Sequence, residues 1–262
     1  MPVLHANLEL EMSHPTLMVA PNGARKQKSD HPALPVSLDE IVQCAAECYD
    51  AGADILHLHV RNDDGSHSLD AGRYRETIAG VAERVPDMPI QITTESGGIF
   101  DVHTQLRCLQ DTRPHRASVS IREIARSPDL ASHVYGFAKE ACIDVQHIIY
   151  GLPDIAQYKH WVETAIIPET MNSVIFVLGQ YTPPINALPD DLLPFLDAAN
   201  NMSLEWAVCA FGQNELACAQ RALQRGGNIR IGFENNLHLP DGTLAQNNAQ
   251  TVALARALIN EI

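Results

Sequence analysis

The stretch Ile55-Leu56-His57-Leu58-His59-Val60-Arg61 alternates without a break. Ile55, His57, His59 and Arg61 share one parity and Leu56, Leu58 and Val60 the other, so a strand here has one apolar and one mostly polar face. Imidazoles at i and i+2 on one face lie about 6–7 Å apart, within reach of a single divalent ion. An isolated His-x-His serves equally well as two hydrogen-bonded strand residues, so the rest of the chain has to decide between the readings.

Outward from this stretch, short β-branched apolar runs alternate with longer helical patterns, the signature of βα units around a parallel sheet. Strands are expected at 17–20, 54–60, 89–94, 117–121, 144–149, 174–178, 204–209 and 229–233. Helices are expected at 37–50, 71–85, 102–109, 128–140, 153–164, 190–199, 214–224 and 246–259, the first opened by a Ser37/Glu40 capping box. Eight βα repeats in 262 residues match a (β/α)8 TIM barrel, here a single domain over 1–262 with room for a short N-terminal extension at 1–15. A doubly wound open sheet is the alternative, but it usually needs fewer strands and a glycine-rich first turn that this chain lacks.

Composition narrows the function. The chain is 45% hydrophobic and 19% charged, with a formal net charge of −14, which argues against nucleic acid or an anionic membrane as partner. No window approaches about 18 consecutive apolar residues, and His5, Glu9 and Glu11 do not make an export leader. Six scattered cysteines without a Cys-x-x-Cys pair fit reduced thiols. A cytoplasmic protein is expected, as a homo-oligomer.

In a barrel, strands are buried on both faces, and polar residues near their C-terminal ends are expected where they line a site. His57, His59 and Arg61, then Thr93 and Glu95, Ser118, Ser120 and Arg122, Glu205, and Arg230 with Glu234 are such residues. Two neutral imidazoles and a carboxylate make a catalytic zinc pattern with a position left open. The last strand adjoins the first, so Glu234 and His57 stand two strands, roughly 10 Å, apart, a gap that side chains bridge.

These residues also carry a resemblance. The stretches at 19–26, 30–37, 57–70, 90–95, 206–212 and 229–236, followed by Asn247-Asn248-Ala249, resemble the β-keto acid cleavage enzymes in the same order from about residue 17 to 258. The resemblance implies a zinc-dependent barrel, zinc or another divalent ion, that condenses a β-keto acid with acetyl-CoA and releases acetoacetate and the CoA ester of the remaining acyl part. It implies His57, His59 and Glu234 as metal ligands, Thr93 and Ser118 as substrate hydroxyls, and Arg230 as the activating arginine. Asn235 stands where the type enzyme has an aspartate acting as base, and an amide cannot accept a proton at neutral pH. Arg25 stands where that enzyme has a glutamate for the substrate's amino group, so a carboxylate or a neutral group suits this chain better. Asn22, Glu95 and Glu123 are further expected substrate contacts, with Glu95, Glu123 or a substrate-bound water as the replacement base. The expected first step is addition of an acetyl-CoA carbanion to the keto carbonyl. A zinc hydrolase, a class II aldolase and a keto-acid-binding barrel without turnover remain as alternatives.

Overall fold

The computed structural model describes residues 14–262, so nearly all of the expected 1–15 extension, and the segment carrying His5, Glu9 and Glu11, lies outside the described residues. Eight parallel strands close into a barrel in the order β1 (Leu17–Val19), β10 (Asn228–Ile231), β9 (Glu205–Ala210), β8 (Ser173–Leu178), β7 (Asp144–Ile149), β6 (Arg116–Ser120), β5 (Ile90–Thr93) and β2 (Ile55–Leu58), which meets β1 again. Helices α1 (Leu38–Asp50), α2 (Ala71–Arg84), α3 (Val102–Thr112), α4 (Ile121–Ile124), α5 (Pro128–Glu140), α6 (Leu152–Glu163), α7 (Leu193–Ala199), α8 (Glu215–Gln224) and α9 (Asn248–Asn260) connect the strands. Ser37 and Glu40 form the expected capping box at α1. The short α4 between β6 and α5 has no counterpart in the sequence pattern. Among the described residues no helix is long and apolar enough to cross a membrane.

Strand parity divides the core. Leu56 and Leu58, Ile92, Val174 and Phe176, Val208, Ile229 and Ile231 belong to one large apolar cluster shared with the helices. The alternate residues fill the barrel. Ile148, Ile175, Val177, Ala207, Cys209 and Phe211 make an apolar wedge from β7 to β9, while His57, Gln91, Thr93, Ser118 and Arg230 of the other strands, with Gln146 of β7 itself, are buried polar residues.

The chain departs from the expected second strand after Leu58. Val60–Arg61 (β3) leave the barrel and pair antiparallel with His67–Ser68 (β4), closing a hairpin over Asn62–Ser66. Arg61 therefore does not join the site as its parity predicts. Its buried guanidinium donates to the carbonyls of Asn22, Gly23, Lys26 and Gly65, tying the loop after β1 to the hairpin. Glu205 is a second correction. It is exposed at the first residue of β9, the N-terminal end of the barrel, far along the strand from the site.

Candidate active site

His57 lies near the end of β2, and β2 pairs with β5 so that His57 faces Gln91 across the ladder. Its Nδ1–H donates to Gln91 Oε1 at 2.7 Å. The next two amides fix that direction, because Gln91 Nε2 donates to Gln146 Oε1 and Gln146 Nε2 to Ser173 Oγ. The His57 lone pair is thus on Nε2, the usual way an outer partner sets the tautomer of a ligating imidazole. Burial, then the Arg230 charge, pushes the His57 pKa well down and keeps the ring neutral.

His57 Nε2 lies 3.2 Å from His59 Nε2, and Glu234 Oε2 lies 3.7 Å from the first and 3.5 Å from the second. A tetrahedral ion with bonds of about 2.0–2.1 Å needs ligand atoms about 3.3–3.4 Å apart, so the triangle has the right size. Glu234 Oε2 is buried and has no hydrogen-bond partner, an unmet acceptor of the kind a cation satisfies. Burial alone would raise the Glu234 pKa, but Arg230, His59 and His57 hold it well below the carboxylate range. His57, His59 and Glu234 together form a buried site able to coordinate a divalent metal.

Backbone close to Glu234 is specialised. Gly23 has φ of 61°, and a Cβ there would stand 2.5 Å from Glu234 Cγ. Gly232 has φ of 134°, and a Cβ would meet the Ala20 carbonyl at 2.5 Å. Lys26 Nζ donates to the Glu234 carbonyl at 2.7 Å and to the Tyr181 hydroxyl at 2.9 Å, while that hydroxyl also donates to the Glu234 carbonyl. Desolvation lowers the Lys26 pKa to about 8, against the opposing charges of Glu234 and Glu215.

The other expected residues take distinct places. Arg230 reaches the candidate ligands, with Nη1 3.2 Å from His57 Nε2 and Nη2 3.6 Å from Glu234 Oε1. Thr93 Oγ1 accepts from Ser118 Oγ and from the Glu95 amide, each at 3.0 Å, which brings the two hydroxyls together and leaves the Thr93 proton for a further acceptor. Asn235 Nδ2 donates to Glu215 and to the Arg230 carbonyl. Asn22 Nδ2 donates to the carbonyls of Pro35 and His59, so it braces a ligand from behind. Glu95 accepts from the Tyr150 hydroxyl at 2.8 Å. Glu123 accepts from Ser96 N, Ser96 Oγ and Gln105 Nε2 and ties the loop after β5 to α4. Arg25 is exposed, with Nη2 3.5 Å from the Gly97 carbonyl and its guanidinium carbon 5.8 Å from the Tyr181 ring centre.

Gln91, Tyr181, Glu215 and Cys209, whose Sγ accepts from Arg230 Nη2 at 3.4 Å, are not singled out by the sequence as site residues. Gln91 shares the parity of Thr93, and that signal was available. Tyr181 comes from an irregular loop after β8 with no periodic pattern to place it.

The sequence matches the beta-keto acid cleavage enzyme family over residues 16–262. It is 30% identical over 257 residues to the 3-keto-5-aminohexanoate cleavage enzyme of Fusobacterium nucleatum, covering 92% of this chain and 89% of that one. It is 28% identical over 263 residues to the 3-oxoadipate:acetyl-CoA acetyltransferase of Cupriavidus necator, covering 95% and 90%. The solved ternary complex of ObcA with a C4-CoA adduct and oxalate shares the fold, with a TM-score of 0.71 at 14% identity, and the chain spans 64% of its length and 88% of its own. Given the match along the whole barrel and the buried His-His-Glu triad at its mouth, the chain belongs to the β-keto acid cleavage enzyme family.

Proposed function

We propose that the protein converts a β-keto acid and acetyl-CoA into acetoacetate and the CoA ester of the remaining acyl group, with zinc or another divalent ion held by His57, His59 and Glu234. The observation that carries the reading is the convergence of those ligands with the Arg230 guanidinium in one buried cluster. A bound ion supplies Lewis acidity toward the keto oxygen. Arg230 adds a fixed positive charge beside the developing oxyanion, with no reorganisation needed at the moment of reaction. The Thr93 hydroxyl holds the substrate carboxylate, donating the proton that its two accepted bonds leave available, while Ser118 orients it by donating to Thr93 Oγ1. Asn22 and Asn235 act from the flanks of the metal ligands.

Atom balance reverses the expected first step. Acetoacetate carries CH3–CO from acetyl-CoA and CH2–COO⁻ from the keto acid, so the carbon nucleophile is the α-carbon of the keto acid. Loss of its proton lets that carbon attack the thioester carbonyl and expel CoA as the thiolate; the thiolate then adds to the original keto carbon, the bond from that carbon to the α-carbon breaks, and the α-carbon takes back the proton to give acetoacetate. Glu95 is the better proton acceptor of the two carboxylates. Among the described residues it receives one side-chain hydrogen bond, from Tyr150, whereas Glu123 is committed to three donors.

Arg25 sets the charge of the distal substrate end. Among the described residues it has no carboxylate partner within salt-bridge distance. A solvent-exposed charge pair is worth about 0.2–1 kcal/mol, or up to roughly fivefold in specificity. A dicarboxylic or neutral β-keto acid should therefore outrun an amino-substituted one, as the name of the 3-oxoadipate relative also favours. The test is a mass-spectrometric screen of anionic, neutral and cationic β-keto acids with acetyl-CoA, followed by kcat/KM on wild type and Arg25→Glu. Arg25→Glu should move the ranking toward cationic substrates at unchanged metal content. No CoA ester from any β-keto acid would refute the reaction; an unchanged ranking would refute the role of Arg25. The protein is expected to work in the cytoplasm as a homo-oligomer, which fractionation and sizing at working concentration would check.

A further inference from the structure

Glu215 opens α8, yet its carboxylate is buried, with 1% of the residue exposed, and reaches across to the turn that carries Glu234. Oε1 accepts from the Gly232 amide at 2.9 Å and from Asn235 Nδ2 at 3.0 Å. Asn235 Nδ2 donates also to the Arg230 carbonyl at 3.2 Å. Two acceptors on one side fix the amide with its nitrogen toward them, because the reversed amide would set oxygen against both. Asn235 Oδ1 is then a buried acceptor without a partner, one residue from Glu234, and Glu215 Oε2 is likewise unpartnered.

We infer that Glu215 is a positioning residue for the reaction: it holds the Asn235 amide in one orientation, so that Oδ1 is the atom offered to a substrate or water donor, and it is the reason residue 235 is an amide. The inference rests on the β-keto acid reading above. An aspartate at 235 would place a second carboxylate about 3 Å from Glu215, and two carboxylates that close must share a proton. Burial raises the Glu215 pKa to about 8 even with Asn235, Gly232 and Lys26 opposing it, so the pocket already disfavours one ionised carboxylate and an aspartate at 235 would add to that cost. The acidic group of this region thus sits at 215, on the neighbouring βα unit, and acts through the amide at 235.

Glu215→Gln, Glu215→Met, Asn235→Asp and Glu215→Gln/Asn235→Asp separate this role from simple packing. Each would be measured for kcat and KM, for metal per chain, and for stability in urea. Glu215→Gln keeps an acceptor for Gly232 and Asn235 and should hold kcat within about threefold of wild type, whereas Glu215→Met should lower kcat roughly ten- to a hundredfold with little change in KM or metal content. Asn235→Asp should cost more in the wild-type background than in the Glu215→Gln background, in kcat and in unfolding alike, because a carboxamide can turn to donate to a carboxylate. Equal costs in the two backgrounds, or a Glu215→Met protein of unchanged kcat, would overturn the inference. If Glu215→Met does not fold, the Asn235→Asp comparison decides. If wild type turns over no β-keto acid, the functional reading fails, while the urea cycle still shows whether residues 215 and 235 are coupled.

Discussion

Three side chains define the candidate metal position, and each should have a measurable share. Purified protein should carry about one divalent ion per chain by elemental analysis, and His57→Ala, His59→Ala or Glu234→Ala should each sharply reduce it, since a three-ligand site tolerates little loss. Full occupancy in the His57→Ala/His59→Ala double variant would remove the assignment. Gln91→Ala keeps all three ligands but frees the His57 ring, so metal affinity should fall roughly ten- to a hundredfold with the fold intact. An unchanged affinity in a chelator competition would show that Gln91 does not orient the ring. The two histidines were legible because they alternate with leucines on a strand. Gln91 was passed over because a lone glutamine announces nothing until a partner strand brings it opposite a histidine.

At the scale of elements, the site depends on loops that carry no periodic signal. Gly23 sits in the loop after β1 at positive φ, with Glu234 packed where its side chain would be. Gly23→Ala should displace Glu234 and strain the backbone, costing on the order of 1–3 kcal/mol in unfolding together with a loss of bound metal. Retention of wild-type metal affinity would mean that the Glu234 side chain can give way. The same limit explains Arg61. Alternation carried the strand reading through to residue 61, but the paired segment ends at Leu58, and the carbonyls around Gly23 and Gly65 claim the guanidinium. Parity predicts a face for as long as the chain stays in the sheet; it does not say where the chain leaves.

For the whole molecule, the count of strands and helices made the barrel legible, because eight βα repeats fill this length and close on themselves. Glu205 shows the limit: the expected strand at 204–209 already starts beside it, and a residue at that end of a barrel strand lies away from the site whatever its charge. Global stability should report the buried Glu215. Its folded pKa, about 8, lies above the ordinary carboxylate value, so its neutral form contributes stability that is full below about pH 4 and is lost as pH rises toward 8. Relative to Glu215→Gln, wild type should lose on the order of 1 kcal/mol per pH unit between about pH 5 and 8 in urea unfolding at fixed metal load, then level off. A difference independent of pH would place the carboxyl in water.

The ties around Glu234 split the barrel mouth into unequal halves. Arg61 pins the loop after β1, and Lys26 and Tyr181 meet on the Glu234 carbonyl, so the loops following β1, β2, β8 and β10 form one braced unit. Beside it, the loop after β5 presents Gly98 and Ile99 to solvent, and Arg122 lies exposed over the Tyr150 ring. Those exposed loops can accept substitutions without disturbing the braced unit around Glu234, so the two parts of the mouth are free to change at different rates.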